Sequence, residues 1–448
     1  MPDEITEPAR RTPVAWEGDL CVVGGSCTGV FAAVRAARLG LSVAVVEQNT
    51  LLGGTATAAQ VNEWHSTLDT SGTRTIIGGL TAEVIARLRR REAVREIVPP
   101  GRSQYRFNSA EMAVELDELA REHGLRVFFG ARCVAAVREG DTVRAALVED
   151  KSGRRAIRAR VFIDASGDGD LLRRAGFAAY QRPPLQPVNM QALVAGLDGL
   201  DEKTVWHEVR GLAAAHGYPE GTSSPWFFDY PGAPQGVRNI FGPRISGVDA
   251  SDADALSTAY AEGRRQHRAL LDMIHTRYGR RAHILAWAQA LGVRETWHAR
   301  CRHQLTGAEL LNGTRPDDAI AQGTYPVDVH NPDGTVLRYL DGREHSVNAA
   351  GEREERFWRD PALPTPPCYF VPFRALVPTG TDNLLVAGRL LDADRDAFGA
   401  VRVMVNCNQT GEAAGTAAAL AVRGSLAPGS VDPGALRATL AAGGSILV

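Results

Sequence analysis

A strand, a glycine turn, a helix and a second strand follow one another near the start of the chain, and this order constrains the fold most. Residues 20–23 and 41–46 are short apolar runs typical of buried strands, and the Ala-rich stretch 30–39 between them suits a helix packed on a sheet. Glu47 ends the second strand. The turn before the helix consists of Gly24, Gly25, Ser26, Cys27, Thr28 and Gly29. This pattern predicts a Rossmann-like unit in an α/β chain.

The physical chemistry of such a turn is nucleotide binding. Its backbone N–H groups and the helix N-terminus can face a pyrophosphate. A carboxylate at the end of the second strand, about 20 residues on, can accept hydrogen bonds from a ribose. Glu47 stands there and would repel a 2′-phosphate, which favours an unphosphorylated ribose. Ser26 replaces the middle glycine of G-x-G-x-x-G, where its side chain crowds the pyrophosphate but can also donate a hydrogen bond.

A second glycine turn follows the second strand, in the stretch LLGGTAT at residues 51–57. An acidic residue and then a Gly-Gly turn make this region similar to the FAD-binding flavoproteins of the glutathione-reductase superfamily. NAD-only Rossmann enzymes do not usually carry that element, so the expected cofactor is FAD. The resemblance implies cofactor contacts from Gln48, Gly53, Gly54, Thr55, Ala56 and Thr57.

Composition and charge narrow the range of partners. The chain has 448 residues and a net charge of −2, so no strong field directs it to nucleic acid or to an acidic membrane. Its six cysteines form no C-x-x-C pair, which suits a reducing cytoplasm. No long apolar run and no signal peptide are present, so no membrane span is expected. A monomer and a homo-oligomer both remain open.

Two proline-rich stretches, residues 182–187 and 361–367, divide the chain. Between them aromatic residues and histidines become more frequent. We therefore predict a Rossmann-like FAD-binding domain of the glutathione-reductase type with an inserted α+β substrate domain. The predicted parts are a flexible arm (1–16), the first part of the FAD domain (17–188), the substrate domain (189–360) and the C-terminal part of the FAD domain (361–448).

Local signals predict several elements within this plan. Residues 132–138 and 143–150 form a hairpin pattern, and strand 158–164 leads into the turn Ala165, Ser166, Gly167 and Asp168. Ser251 or Asp252 begins a long helix that ends near Tyr278, and residues 295–304 alternate like a strand. Thr306 and Glu309 have capping-box spacing.

The C-terminal segment combines Gly388 and Arg389 with a helix that contains Gly411 and Gly415, four residues apart among alanines. Two interpretations are open. The small residues can allow close packing against a neighbouring element. Alternatively, the positive N-terminal end of the helix can point at a flavin carbonyl and stabilise negative charge on the reduced ring.

Together these motifs resemble the bacterial FAD-dependent oxidoreductase family related to the succinate dehydrogenase and glutathione reductase flavoproteins. The resemblance covers most of the chain and rests on VVGGSCTGVFAAVRAARLG, LLGGTAT, IDASGDGDLLRRAG, LGVRET, DDAIAQGTYPVDVHNPDG, VPFRALVP, NLLVAGR and RVMVNCNQTGEAAGTAAALA. It implies non-covalent FAD and two-electron chemistry, but it does not define a substrate. The remaining expected cofactor contacts are Cys133, Val134, Val405, Asn406, Thr410 and Gly411.

The sequence also bears on the reaction. Disulfide reductases that resemble this family carry two cysteines after the Gly-Gly turn, where Ala56 and Val61 stand here. The sequence has no second G-x-G-x-x-G-like fingerprint after a strand, so no NAD(P)H-binding domain is expected. We therefore predict a dehydrogenase or oxidase that transfers a hydride from a small polar organic substrate to flavin N5, with oxygen, a quinone or a redox protein as acceptor. The alternatives are a flavin monooxygenase or NAD(P)H-fed reductase, and a non-catalytic nucleotide-binding fold.

The candidate catalytic residues are histidines and arginines. His65 follows the Gly-Gly segment and has three possible roles: a base, a covalent flavin anchor or a structural histidine. Arg374, Arg389 and Arg402 flank C-terminal elements and suit a substrate carboxylate or developing negative charge. His303 shares a strand face with Cys301, but two ligands are too few for a metal site, so no metal is predicted.

Overall fold

The computed structural model describes residues 5–97, 103–219, 225–280, 282–331, 334–348 and 352–448. The first four residues of the predicted arm, and Pro332 and Asp333 of the family-like segment, lie outside this part. The helices are α1 Cys27–Arg38, α2 Gly79–Arg90, α3 Ser109–Glu122, α4 Asp170–Arg174, α5 Glu202–Val209, α6 Ala213–His216, α7 Ala253–Tyr278, α8 Gly307–Leu311, α9 Arg395–Val401, α10 Met404–Gly424 and α11 Pro433–Ala442.

The strands of the described residues build several sheets. In chain order they are β1 Val14–Val23, β2 Val43–Val46, β3 Glu63–His65, β4 Val94–Ile97, β5 Gln104–Phe107, β6 Arg126–Phe128, β7 Arg132–Glu139, β8 Thr142–Asp150, β9 Gly153–Asp164, β10 Ala179–Tyr180, β11 Val188–Ala195, β12 Trp226–Asp229, β13 Arg238–Ile245, β14 His283–Trp287, β15 His298–Ala299, β16 Ala319–Gly323, β17 Val327–Asn331, β18 Gly334–Arg338, β19 Arg343–Asn348, β20 Arg353–Phe357, β21 Tyr369–Pro372 and β22 Leu384–Val386.

The largest sheet has a parallel core in the order β6-β2-β1-β9, as the α/β prediction requires. β9 is long enough to pair with both antiparallel and parallel neighbours. Its first half pairs antiparallel with β8, and its second half pairs parallel with β22. β7 and β8 form the predicted hairpin. The carboxyl ends of the parallel strands therefore meet at one edge of the sheet, where such folds bind ligands.

Helix α1 lies under this edge and is buried along residues 27–36. Helix α10 packs across α1 at very short range. A Cβ atom added to Gly411 would lie 2.1 Å from the carbonyl oxygen of Thr28, and one added to Gly415 would lie 2.0 Å from that of Ala32. The two glycines therefore let α10 approach the backbone of another helix rather than a sheet.

Residues of the predicted middle segment form two antiparallel sheets. One has the order β12-β13-β11-β14, and α7 packs on it. The other is a meander, β17-β18-β19-β20. The Asp252 side chain caps α7 by accepting from Ala255 N, as predicted, and the capping box at the start of α8 is present. No helix in the described ranges is long and apolar enough to cross a membrane.

Several predicted boundaries are wrong. β1 begins at Val14 and pairs with Ala156 of β9, so the last residues of the predicted arm belong to the first sheet. The segment 295–304 is not a continuous strand, because its backbone changes partners along its length. His298–Ala299 pairs with β10, whereas Cys301 N donates to Asp392 Oδ2 at 2.8 Å. The C-terminal region also holds a short helix, α9, before α10.

Candidate active site

One cavity of about 400 Å³ opens at the carboxyl ends of β1, β2 and β9 and reaches the N-terminus of α10. Turns that the sequence separates by more than 100 residues meet there. The predicted site residues that line it are Gly24, Ser26, Cys27, Thr28, Glu47, Gln48, Gly53, Gly54, Thr55, His65, Cys133, Ala165, Ser166, Gly167, Asp168, Gly388, Arg389, Arg402 and Val405. The structure thus brings most of the predicted positions to one place.

The first glycine turn is shaped by close backbone contacts. Gly24 has φ +101°, and a Cβ atom there would lie 2.5 Å from the carbonyl oxygen of Ala165. Ser26 is the N-cap of α1, but its side chain forms no capping hydrogen bond, and the first turn holds no acidic residue. The N–H groups at this helix end are therefore available to an anion in the cavity.

Glu47 closes the turn from the second strand. Its Oε2 accepts from Gly25 N at 2.6 Å, and its Oε1 accepts from the backbone N and Nδ2 of Asn49, both at 2.7 Å. Burial raises the pKa of Glu47, against the lowering effect of these hydrogen bonds. Glu47 lines the cavity, so its carboxylate lies where a ribose would bind.

Eight of the predicted cofactor contacts do not line the cavity, and for them the contact with FAD stays a prediction. They are Gly25, Gly29, Ala56, Thr57, Val134, Asn406, Thr410 and Gly411. Several of these residues contact the cavity-lining residues from the side away from the cavity. A Cβ atom on Gly29 would lie 1.8 Å from the carbonyl oxygen of Gly24. Thr410 Oγ1 accepts from Gly388 N at 2.9 Å and so supports a lining residue.

Two predicted catalytic residues, His303 and Arg374, also lie outside the cavity wall. His303 Nε2 lies 3.1 Å from Oε1 of Glu309, in the capping box of α8. Arg374 is about half exposed, and its Nε lies 3.0 Å from Asp318 Oδ2. Both side chains therefore have polar partners outside the cavity wall. The regular strand that would have placed His303 in a site does not form.

A charged cluster forms another part of the cavity wall. Arg244 lies on β13, Arg294 follows β14, and Arg402 lies between α9 and α10. Arg402 Nη2 lies 2.8 Å from Asp328 Oδ2 on β17. Asp328 is otherwise held by Tyr325, whose hydroxyl donates at 2.8 Å.

Two histidines adjoin this cluster. His330 Nε2 lies 3.3 Å from Asp328 Oδ1, and its Nδ1 lies 2.9 Å from Thr335 Oγ1. The His65 ring centroid lies 4.7 Å from that of Tyr325. Both histidines line the cavity. The wall thus holds an acid–base network beside the three arginines.

Burial governs the protonation of this cluster. Burial, helped by the like charges of Arg244 and Arg402, lowers the pKa of Arg294 to about 9. Burial also lowers the pKa of His330 to about 4, so its imidazole is neutral at neutral pH. Burial would raise the pKa of Asp328, but its contacts with His330, Arg402 and Tyr325 hold that pKa well below its usual range. Asp328 is therefore a carboxylate.

The sequence prediction missed most of this cluster, although a signal for it exists. Tyr325, Asp328 and His330 lie in the segment TYPVDVH, where Asp328 and His330 are two residues apart on a strand and share a face. Arg294 lies in LGVRET. The family resemblance includes both segments but assigns neither of them a role. Arg244 has no comparable local signal.

A family model described as "FAD dependent oxidoreductase" matches residues 19–440. The chain belongs to this family. It is therefore an FAD-dependent oxidoreductase, which confirms the predicted cofactor and the prediction that the protein is an enzyme. No curated protein gives a significant match to the chain.

Solved structures similar to this oxidoreductase include a geranylgeranyl bacteriochlorophyll reductase-like protein from Thermoplasma acidophilum. It has 12% sequence identity and a TM-score of 0.47, over 95% of this chain and 83% of that one. A triple mutant of a flavin-dependent brominase gives the same four values. A myxobacterial chondrochloren halogenase has 12% identity and a TM-score of 0.45, over 94% and 77% of the two chains. Similarity at this level does not bear on the reaction.

The residues of the cavity fit FAD. Besides α1, helix α10 begins without a side-chain cap and without an acidic residue in its first turn, and Val403, Met404 and Val405 line the cavity there. Among the described residues, Arg389 Nη1 and Asn408 Oδ1 are buried without a hydrogen-bond partner. Both side chains line the cavity, so they offer a donor and an acceptor that a polar cofactor can use.

Proposed function

We propose that this oxidoreductase is a dehydrogenase or oxidase of a small polar organic substrate, with FAD bound non-covalently. The observation that carries the proposal is the cavity of about 400 Å³, which connects the glycine turns with the cluster around Asp328. When FAD is bound, it accepts a hydride from a substrate C–H bond at flavin N5. The steps below concern what the residues of this chain contribute.

The cofactor is assigned to the wall formed by the glycine turns. The N-terminus of α1 and the turn at Gly24 would hold the pyrophosphate, and the carboxylate of Glu47 would accept a hydrogen bond from a ribose hydroxyl. The uncapped N-terminus of α10 would stabilise negative charge on a bound flavin. The residues behind the wall, such as Thr410, keep these groups in place.

The substrate is assigned to the wall that the middle of the chain supplies. Asn189, Phe228, Arg244, Arg294 and Asp328 all line the cavity and all lie within 189–360. This distribution supports the proposed division into an FAD domain, in two parts at 17–188 and 361–448, and a substrate domain between them. The boundary of the first part moves to Val14, where β1 begins.

His65 is proposed as the base that accepts a proton from the substrate. It lines the cavity next to Tyr325, whose hydroxyl is already committed to Asp328. His330 is held between Asp328 and Thr335, so it orients the carboxylate. The proposed electron acceptor is oxygen, a quinone or a redox protein.

Anaerobic reduction tests this function. The FAD-loaded protein is mixed with a panel of small polar organic compounds without oxygen, and the visible flavin absorbance is followed. We expect a member of the panel to bleach the flavin, and NADH and NADPH to bleach it slowly or not at all. Rapid bleaching by NADH or NADPH would instead indicate a monooxygenase or reductase fed by an external hydride donor.

A pair of histidine variants tests the assignment of the base. His65→Asn should slow anaerobic flavin reduction by about 10²- to 10⁴-fold, the usual contribution of a general base, while FAD content stays unchanged. His303→Asn is the matched control, because it removes the same side chain outside the cavity wall. Equal rates for His65→Asn and the wild-type protein would refute the role of His65.

A further inference from the structure

The arginine cluster of the cavity carries more positive charge than its surroundings neutralise. Arg244, Arg294 and Arg402 line the wall, and Asp328 is the carboxylate placed among them. Three guanidinium groups and one carboxylate leave two positive charges, since His330 is neutral. Among the described residues, Asp328 pairs with Arg402, whereas neither Arg244 nor Arg294 has a carboxylate within salt-bridge distance.

The other carboxylates of the cavity are engaged elsewhere. Glu47 accepts hydrogen bonds from Gly25 and Asn49. Asp168 pairs with Arg389 at 3.2 Å, and Asp170 pairs with Arg174 at 2.8 Å. Glu63 pairs with Arg106 at 3.3 Å. None of them neutralises the excess charge around Arg244 and Arg294. Because an unpaired charge in a buried site costs several kcal/mol, this arrangement indicates a site that receives an anion.

The hydrogen-bonding capacity of the cluster supports an anion as well. The guanidinium of Arg294 donates to the carbonyl oxygen of Pro187 at 2.7 Å, which uses only one of its five N–H groups. Within the described residues, Arg402 Nε is buried without a partner. Donors remain for the two oxygens of a planar carboxylate, which guanidinium groups bind in a fork geometry.

An aromatic surface lies on the same strand pair as Arg244. Trp226 and Phe228 of β12 and Phe241 of β13 all line the cavity. The ring centroids of Trp226 and Phe228 are 5.8 Å apart, and those of Phe228 and Phe241 are 4.9 Å apart. Arg106 covers the Phe228 ring at 4.1 Å. A planar apolar group can pack against these rings while an acidic group reaches Arg244.

We propose that the substrate of this oxidoreductase is an organic acid with a planar apolar body, whose carboxylate binds between Arg244 and Arg294 and whose body packs on Trp226, Phe228 and Phe241. The inference rests on the proposed function, because it names the substrate class of the same site. It assigns Arg244 and Arg294 as substrate-binding residues.

Equilibrium titration of the FAD-loaded protein with small probes tests the substrate class. Benzoate carries both features, benzamide lacks the charge and acetate lacks the ring. The change in the visible flavin spectrum reports occupancy. We expect benzoate to bind at least about tenfold more tightly than benzamide, since hydrogen bonds to a charged group are lost, and more tightly than acetate. Equal binding of benzoate and benzamide, or no binding of benzoate, would overturn the proposal.

Arginine variants test the residues. Arg244→Met and Arg294→Met should each weaken benzoate binding about tenfold or more and leave FAD content unchanged. Arg144→Met removes an equal charge from the exposed hairpin and should leave benzoate binding unchanged. Arg244→Met should also raise the thermal midpoint of the ligand-free protein, because it removes a buried unpaired charge. A structural role would lower that midpoint.

The outcomes separate this inference from the proposed function. If the wild-type protein binds no FAD, the proposed function fails first. If FAD binds and is reduced by a substrate, but Arg244→Met and Arg294→Met bind benzoate like the wild-type protein, only the assignment of the acid fails. If these variants lose FAD while their fold is retained, the arginines serve the cofactor and the inference is refuted.

Discussion

Replacement of Gly411 by alanine should separate the two helices on which the cofactor wall depends. The added Cβ atom would lie 2.1 Å from the carbonyl oxygen of Thr28, against 3.4 Å for an ordinary van der Waals contact, so it falls 1.3 Å short. The carbonyl carbon and Cα of Thr28 lie at 2.8 and 3.1 Å. Because these are backbone atoms, no side-chain rotation relieves the contact, and α1 and α10 must move apart.

The magnitude follows from two opposing effects. Alanine is favoured over glycine in a helix by about 1 kcal/mol. Overpacking of a core costs about 1–3 kcal/mol, and more where the backbone must shift. We therefore expect Gly411→Ala to lower the free energy of unfolding by about 2 kcal/mol. FAD binding should weaken too, because Thr28 and the first residues of α10 line the same cavity.

Urea unfolding and FAD titration measure both effects. Gly211→Ala is the matched control, since Gly211 lies in the short 3-10 helix Arg210–Leu212 and an added Cβ atom would meet nothing within 4 Å. The control should not lower stability and should leave FAD affinity unchanged. A Gly411→Ala protein as stable as the wild type, with equal FAD affinity, would refute the close packing of α10 on α1.

Three further predictions address the cofactor turn, a buried ion pair and pH. Ser26→Glu should abolish FAD binding, because it places charge and bulk against the pyrophosphate, whereas Ser26→Gly should retain FAD; flavin content after purification decides this. Glu412→Gln should lower the free energy of unfolding by about 3–5 kcal/mol, since it leaves Arg35 buried without its anion. Glu118→Gln, at an exposed ion pair, should not change it measurably. Because a bound carboxylate raises the pKa of Arg294 above its ligand-free value of about 9, benzoate affinity should be constant between neutral pH and that value and should fall above it. Titrations over this range check the sign.

The cofactor side of the site could be predicted from the sequence because its signals are local. The turn from Gly24 to Gly29 and the carboxylate of Glu47 follow directly after strands, and parallel strands end at one edge of a sheet. In the structure the carboxyl ends of β1, β2 and β9 meet at such an edge. The sequence could not distinguish residues that line the cavity from residues that support its wall. Gly29 and Gly411, for example, allow close backbone packing and do not line the cavity.

The substrate side depends on contacts between distant segments. Arg244, Arg294 and Arg402 come from three different parts of the chain, and only the packing of β13 and β17 near the start of α10 brings them together. The alternation over 295–304 predicted a strand and a place for His303. That segment instead passes from one partner to another, because Asp392 and Val377 take its N–H groups. Alternation alone does not establish a strand partner.

The visible absorption spectrum of the purified protein, before and after acid precipitation, tests the central claim most directly. The claim is that the cavity beneath the glycine turns holds FAD without a covalent bond. It predicts flavin bands in the purified protein and their release to the supernatant on precipitation. Flavin that stays in the pellet would contradict non-covalent binding. A protein that takes up no flavin after reconstitution with FAD would contradict the claim as a whole.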